Sequence, residues 1–245
     1  MSKHRIYIEG PIEAGRLMTI QGEQARYIRR VLRLRKDDAL TLFDGTNGEF
    51  PAVIKAPGKN VVEVEVGPRI DRSVESPFSI TLLQGISRGD RMDHVVQKAT
   101  EIGVSKIVPV LTDYSVVKLD EKRAAKRVQH WRAVAVGACE QSGRNRIPHI
   151  ESPAELVSLL GHYRESGRSR IILKPGAPST LKSTGGVNLD ITVLIGPEGG
   201  FSDNEYELAE AAGFLPVGFG PRILRTETAA IAVLAALQTL HGDFS

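Results

Sequence analysis

An α/β protein with a parallel sheet, preceded by a small β-barrel, is the fold class this sequence predicts. Three observations carry that expectation. From Phe78 onward, short apolar runs alternate with helical patterns, as in a parallel sheet covered on both faces. Residues 1–72 instead hold several short strand candidates around one helix. Near the C-terminus, two glycine-bearing segments each join an apolar run to a helical pattern. Ligands of open α/β sheets bind at such strand-to-helix loops.

In the first region the strand candidates are Ile6-Tyr7-Ile8, Ala39–Phe43, Gly48–Ile54 and Val61–Val66, the last with clean alternation. Asp44-Gly45 and Asn47-Gly48 mark a turn between two of them. Between the first two strands, Arg26, Arg29, Arg30 and Arg33 follow i, i+3, i+4, i+7 spacing, which places them on one helical face. Ile28, Val31 and Leu32 supply the apolar stripe opposite. Residues 1–36 contain nine Lys/Arg and three Glu, so a net charge of +3 hides a basic block. An unrelieved basic ridge binds phosphates; acids elsewhere in the fold are the alternative partners. Pro68 to Pro77 reads as a linker, which divides the chain into 1–72 and 77–245.

In the second region Ile80–Leu83 is a strand, Asp90–Ile102 an amphipathic helix closed by Gly103, Lys106–Leu111 a strand and Asp120–Gln141 a long helix. Ile171–Leu173, Ile191–Ile195 and Pro216–Phe219 are further strands. Pro175–Gly186 is a loop that leaves the sheet on the same side as the two glycine loops. The first of these runs Gly196-Pro197-Glu198-Gly199-Gly200-Phe201. It ends in a capping box, Ser202-x-x-Glu205, whose helix stops at Gly213. The second loop, Gly218 to Thr228, carries Arg222, Arg225 and Glu227 among apolar neighbours, and Thr226 or Thr228 caps an Ala/Leu-rich helix to Leu240.

Glycine loops of this kind suit a ligand held through main-chain N–H and C=O groups. They do not match a phosphate cradle: Gly200 is followed by Phe201-Ser202 rather than Lys-Ser/Thr, and Ile223 stands where a dinucleotide fingerprint needs its third glycine. Both failures count against a nucleotide-dependent oxidoreductase. The single cysteine, Cys139, fits a reducing compartment, the histidines lack metal-ligand spacing, and Ala229–Leu237, the longest apolar run, is too short to span a bilayer. With no apolar leader after Met1, the expectation is a cytoplasmic, metal-free protein with no membrane partner.

The pair Gly196–Ser202 and Gly218–Ala229 resembles the RsmE-type ribosomal RNA uridine-N3 methyltransferases of the SPOUT superfamily. Weaker signals fall in the same order along nearly the whole chain: Arg26–Arg33, Phe43-Asp44-Gly45, Asp90-Arg91-Met92-Asp93, Gln97–Gly103 and Glu140–Pro148. Lys36-Asp37-Asp38 departs from the pattern, standing where relatives carry a Gly-Asp turn. The resemblance implies S-adenosylmethionine as methyl donor, a C-terminal trefoil knot in 77–245, a PUA-like RNA-binding module in 1–72, a homodimer, and small-subunit (16S) ribosomal RNA as substrate. It implies a cofactor site from Leu173 and Lys174; Ile195, Gly196, Pro197, Glu198, Gly199 and Gly200; and Gly220, Ile223, Leu224, Arg225, Thr226, Thr228 and Ala229. Arg225, Glu227 and Arg144 are the catalytic candidates, Arg144 from a segment that the resemblance places near the active site across the dimer. Arg26, Arg29, Arg30, Arg33 and Arg144 are the RNA-binding candidates. Two plainer roles stay open: Arg144 as a cation at a helix C-terminus and Glu227 as a first-turn acid. A ribosome-assembly or RNA-binding protein without methyl transfer is the alternative function.

Overall fold

The computed structural model describes residues 4–46, 48–115, 120–163, 169–184 and 189–244. Asn47 of the expected turn, and Gly185 and Gly186 of the expected loop, lie outside them. The chain divides into one unit of residues 1–75 with 139–147 and another of 76–138 with 148–245.

The first unit is a five-stranded sheet in the order β1-β3-β4-β5-β2: β1 (Arg5–Tyr7), β2 (Leu17–Gln21), β3 (Ala39–Phe43), β4 (Phe50–Pro57) and β5 (Val61–Val66). All pairs are antiparallel except β1 with β3. Alternation along β5 buries Val62, Val64 and Val66 and exposes the residues between them. These valines join Ile6, Leu40, Leu42 and Ile54 in one core, closed by Ala25 of α1 (Gly22–Arg26) and by Ile28.

The segment after α1 differs from the expected amphipathic helix. Tyr27–Val31 widens into a π-helical turn, in which the Leu32 N–H donates to the Tyr27 carbonyl at 3.0 Å, and Arg33 ends it at φ 57°. The α-helical spacing of the arginines is therefore lost. Of the apolar stripe, Ile28 is buried and Leu32 packs on the core edge, but Val31 is 63% exposed. Arg29 is drawn back to donate to the Leu34 carbonyl, which leaves Arg26, Arg30 and Arg33 exposed.

The second unit is a parallel sheet ordered β12-β10-β11-β6-β7-β8, with β9 also pairing β7. Its strands are β6 (Ser79–Gly85), β7 (Lys106–Leu111), β8 (His149–Ile150), β9 (Ala154–Glu155), β10 (Ser169–Leu173), β11 (Asp190–Ile195) and β12 (Leu215–Val217). The helices are α2 (Arg91–Glu101), α3 (Glu121–Ser142, whose end enters the first unit), α4 (Leu156–Tyr163), α5 (Asp203–Ala211) and α6 (Thr226–His241). Leu83, Leu194 and Ile172 pack on one face with Leu156 and Leu160 of α4 and Ala209 of α5. Alternation turns Leu82, Val193 and Ile171 to the other face, where α2 and α6 pack together. β11 and β6, at the centre, are buried along nearly their whole length, as a strand covered on both faces must be.

Candidate functional site

Where β10, β11 and β12 end, the chain encloses a cavity of about 470 Å³. Leu173, Lys174 and Pro175 form one wall, Ile195 to Glu198 with Gly200 and Phe201 a second, and Phe219, Gly220 and Arg222 to Glu227 a third. Parallel strands place all three loops on one side of the sheet because their carboxyl ends coincide.

One buried hydroxyl ties the two glycine loops together. The Thr226 Oγ1 donates to the Gly196 carbonyl at 2.6 Å and accepts from the Gln84 Nε2 at 2.9 Å. Neither expected threonine is therefore the N-cap of α6. Arg225 occupies that position and makes no side-chain cap bond, since a guanidinium has no acceptor, while the Thr226 hydroxyl is engaged across the sheet. Gly85 completes the joint: a Cβ there would stand 2.3 Å from the Pro197 nitrogen, so the first loop can lie against β6 only over a glycine. The capping box on α5 is present in full, the Glu205 N–H donating to the Ser202 Oγ at 3.2 Å and the Ser202 N–H to the Glu205 Oε2 at 2.9 Å.

The cavity is mostly apolar, with Leu173, Ile195, Phe201, Val217 and Leu224 on its walls. Lys174 lies 4.7 Å over the Tyr206 ring and 3.2 Å from Glu210. Burial, and then the nearby Glu205 and Asp203 carboxylates, push the Tyr206 phenol upward. Glu198 accepts from the Arg88 N–H at 3.1 Å and from the Arg91 guanidinium. Burial acts to raise its pKa, but backbone N–H groups and Arg91 outweigh that and hold it below the usual carboxylate range. The Glu227 Oε1 lies 4.0 Å from the Arg91 Nε, while its Oε2 is buried without a hydrogen-bond partner.

Most of the expected cofactor residues line this one cavity. Gly199 lines an adjoining one instead, and Thr228 is exposed on α6 and lines neither. Arg225 and Glu227 stand in the cavity wall. Arg144 does not belong to these loops and is only 4% exposed. Its Nε and Nη2 donate to the Glu75 Oε2 at 2.9 and 2.7 Å. Its guanidinium is thus buried and paired, unlike those of Arg26, Arg30 and Arg33. Sequence reasoning missed Gln84, Gly85, Arg91, Phe201 and Tyr206. The polar Gln84-Gly85 pair closing an apolar strand was the available signal for two of them.

An RNA methyltransferase domain family matches residues 74–238, and an RNA methyltransferase PUA domain family matches residues 20–67. The ribosomal RNA small subunit methyltransferase E of Buchnera aphidicola subsp. Acyrthosiphon pisum is 34% identical over 98% of this chain and 94% of its own. The Bacillus subtilis protein of that name is 30% identical over 95% of each chain. Among solved structures, the Neisseria gonorrhoeae ribosomal RNA small subunit methyltransferase E bound to S-adenosyl methionine is similar at TM-score 0.91, with 36% identity and 99% of both chains covered. A protein described as a methyltransferase from Legionella pneumophila, in complex with bound SAM, reaches TM-score 0.94 and 40% identity over the whole of both chains.

Proposed function

This chain belongs to the RNA methyltransferase family that includes ribosomal RNA small subunit methyltransferase E, and from that premise we propose that it methylates N3 of a uridine in small-subunit (16S) ribosomal RNA. The observation that carries the reading is the cavity at the ends of β10, β11 and β12, whose volume, apolar walls and main-chain rim fit a nucleoside-sized molecule. S-adenosylmethionine supplies the methyl group when bound. Leu173, Ile195 and Leu224 would pack its apolar parts, and main-chain groups of Gly196, Gly200 and Gly220 would meet its polar edges. The Thr226 hydroxyl keeps both loops in register for that contact.

Acceptance of a methyl group at N3 requires loss of the imide proton. Glu227 is placed to take it, and Arg225 supplies positive potential at the same wall, so general-base and electrostatic effects act together. Arg144 is assigned to stability in this reading, because it is buried and donates through Nε and Nη2 to Glu75. The first unit, with its PUA match, holds RNA through the exposed Arg26, Arg30 and Arg33. A C-terminal trefoil knot, a homodimer, an assembled subunit as the form of substrate, and a cytoplasmic location belong to the same reading. Among the described residues no helix is long and apolar enough to cross a membrane, and no cluster of side chains suits a metal ion.

Labelled methyl transfer to ribosomal RNA from cells lacking the enzyme, followed by nucleoside analysis, tests the reading. Label in 3-methyluridine is the expected result. Tight RNA and S-adenosylhomocysteine binding without any transfer would leave an RNA-binding assembly protein instead. Replacing Arg26, Arg30 and Arg33 by Gln should flatten the salt dependence of RNA binding, by about 0.7 in log–log slope for each single-strand phosphate no longer neutralised.

A further inference from the structure

A second, larger and more open cavity of about 780 Å³ adjoins the first. The two share Arg91, Glu198 and Glu227, so these three side chains stand at the junction. Arg88, Gly89, Asp90, His94, Tyr114 and Gly199 line the second cavity and not the first. Gly199 lets the ring approach: a Cβ on it would come 2.8 Å from the Tyr114 Cβ. The Arg88 and Arg91 guanidiniums, beside the Asp90, Glu198 and Glu227 carboxylates, and a half-exposed aromatic ring are suited to a nucleotide, whose phosphate seeks positive charge, whose base seeks a flat apolar surface and whose base edge carries both donors and acceptors.

The junction itself is chemically incomplete. Glu198 holds one Arg91 nitrogen, and Arg91 has further N–H groups to donate. Its Nε is 4.0 Å from the Glu227 Oε1, an ion-pair distance too long for a hydrogen bond. The Glu227 Oε2 is buried and accepts nothing. A carboxylate oxygen in that condition is costly unless a donor arrives, and rotation about its last side-chain torsion exchanges the two oxygens.

We propose that the larger cavity receives the acceptor nucleotide and that Arg91 and Glu227 together read the edge of its uracil base. The proposal rests on the methyl-transfer function above and names how its substrate is chosen. Uracil presents a carbonyl oxygen beside the N3–H. Arg91 donates to the carbonyl and Glu227 accepts from N3–H. Cytosine presents an amino group beside a bare N3, which reverses both polarities and sets donor against donor and lone pair against carboxylate. The same contact serves the reaction: the N3 proton passes to the Glu227 carboxylate, and the negative charge left on the base spreads onto the carbonyl oxygen that Arg91 holds. The proton then leaves through the open cavity. Glu198, kept ionised, acts as a positioning residue for Arg91.

The test compares Arg91→Gln, Arg91→Lys and Glu227→Gln with the wild type. Methyl transfer is measured on a small-subunit RNA fragment bearing the target uridine, S-adenosylhomocysteine affinity by calorimetry, and RNA affinity on that fragment and on a copy with cytidine at the target. Arg91→Gln should lower kcat by roughly a hundredfold, the loss typical of one donor to a developing anion, with S-adenosylhomocysteine affinity within about threefold of wild type. Arg91→Lys should recover part of that loss. Wild type should prefer uridine to cytidine by at least about tenfold, as one paired donor–acceptor edge allows, and Glu227→Gln should erase the preference. Unchanged kcat in Arg91→Gln, a parallel loss of cofactor affinity, or retained preference in Glu227→Gln would each overturn the proposal. A wild type that binds S-adenosylhomocysteine and RNA yet transfers no methyl group would remove the functional reading itself, and is judged without any variant.

Discussion

Two glutamates that meet arginines, Glu75 in the first unit and Glu227 in the second, are paired with opposite completeness. In the first unit the Glu75 Oε1 accepts from the N–H groups of Asn145 and Arg146, each at 3.1 Å, and its Oε2 accepts from the Nε and Nη2 of Arg144. Glu49, 5% exposed in its side chain, is paired with Arg5 and with Arg72. In the second unit Arg91, its side chain 43% exposed, stands between Glu198 and Glu227, and one carboxylate oxygen is left over. A buried carboxylate saturated on both oxygens, as Glu75 is, holds chain segments together, here residues 139–147 against 72–75. An unsaturated one at a cavity junction has bonds still to make. For these two carboxylates the completeness of pairing, more than the residue types, separates a structural role from a binding one.

The largest expected effect comes from breaking the saturated network. Glu75→Ala leaves the Arg144 guanidinium buried without its counter-ion and should cost about 3–5 kcal/mol in urea unfolding. Glu227→Gln removes no buried partner and should stay within about 1 kcal/mol of wild type. Equal losses in the two variants would erase the contrast.

A middle effect belongs to Thr226, whose hydroxyl joins the loops of the open site. Thr226→Ala removes the hydroxyl donor from the Gly196 carbonyl and leaves the buried Gln84 amide nitrogen with the Gly85 carbonyl alone, and should cost about 1–3 kcal/mol. Unlike Glu75→Ala, it should also weaken S-adenosylhomocysteine binding in calorimetry, because the two glycine loops lose their common tie. Wild-type affinity would show that the loops hold their places without it.

The smallest effect tests a strained turn. Asp37 adopts φ 70° and is hydrogen-bonded through its N–H to the Ile54 carbonyl at 2.8 Å. This is the left-handed region, which aspartate tolerates better than most side chains. Asp37→Ala should lose about 1 kcal/mol, and Asp37→Gly should fall within about 0.5 kcal/mol of wild type, the relief of φ offsetting the freer unfolded chain. Equal stability of the alanine and glycine variants by thermal melting would mean that the turn carries no strain. Asp37, in the stretch that departs from the expected Gly-Asp turn, thus holds a glycine-like conformation.

Legibility followed the strength of local pattern. β7 is read to the residue, Lys106–Leu111, because a buried central strand is a continuous apolar run bounded by polar residues. The capping box at Ser202 is visible because both of its partners lie within one turn. β2 carries no such signal: Leu17 is 68% exposed, and the strand exists through pairing with β5 rather than through its own alternation. The arginine ridge looked regular only on the assumption of α-helical spacing, which the π-helical turn and the left-handed Arg33 remove.

The sequence by itself determined the alternation of strands and helices, the two loops at the carboxyl ends of β11 and β12, and the basic character of the first region. Each of these depends on residues close together in the chain, where periodicity, turn chemistry and charge add up locally. Only the tertiary structure decided that Arg144 is held by Glu75, that Thr226 bonds to Gly196 and Gln84 instead of capping its own helix, and that Arg91 faces Glu227. Those pairs are separated by 69, 30, 142 and 136 positions. No local preference encodes such a meeting, which arises when burial of the two cores brings distant segments side by side and their polar groups must then find partners.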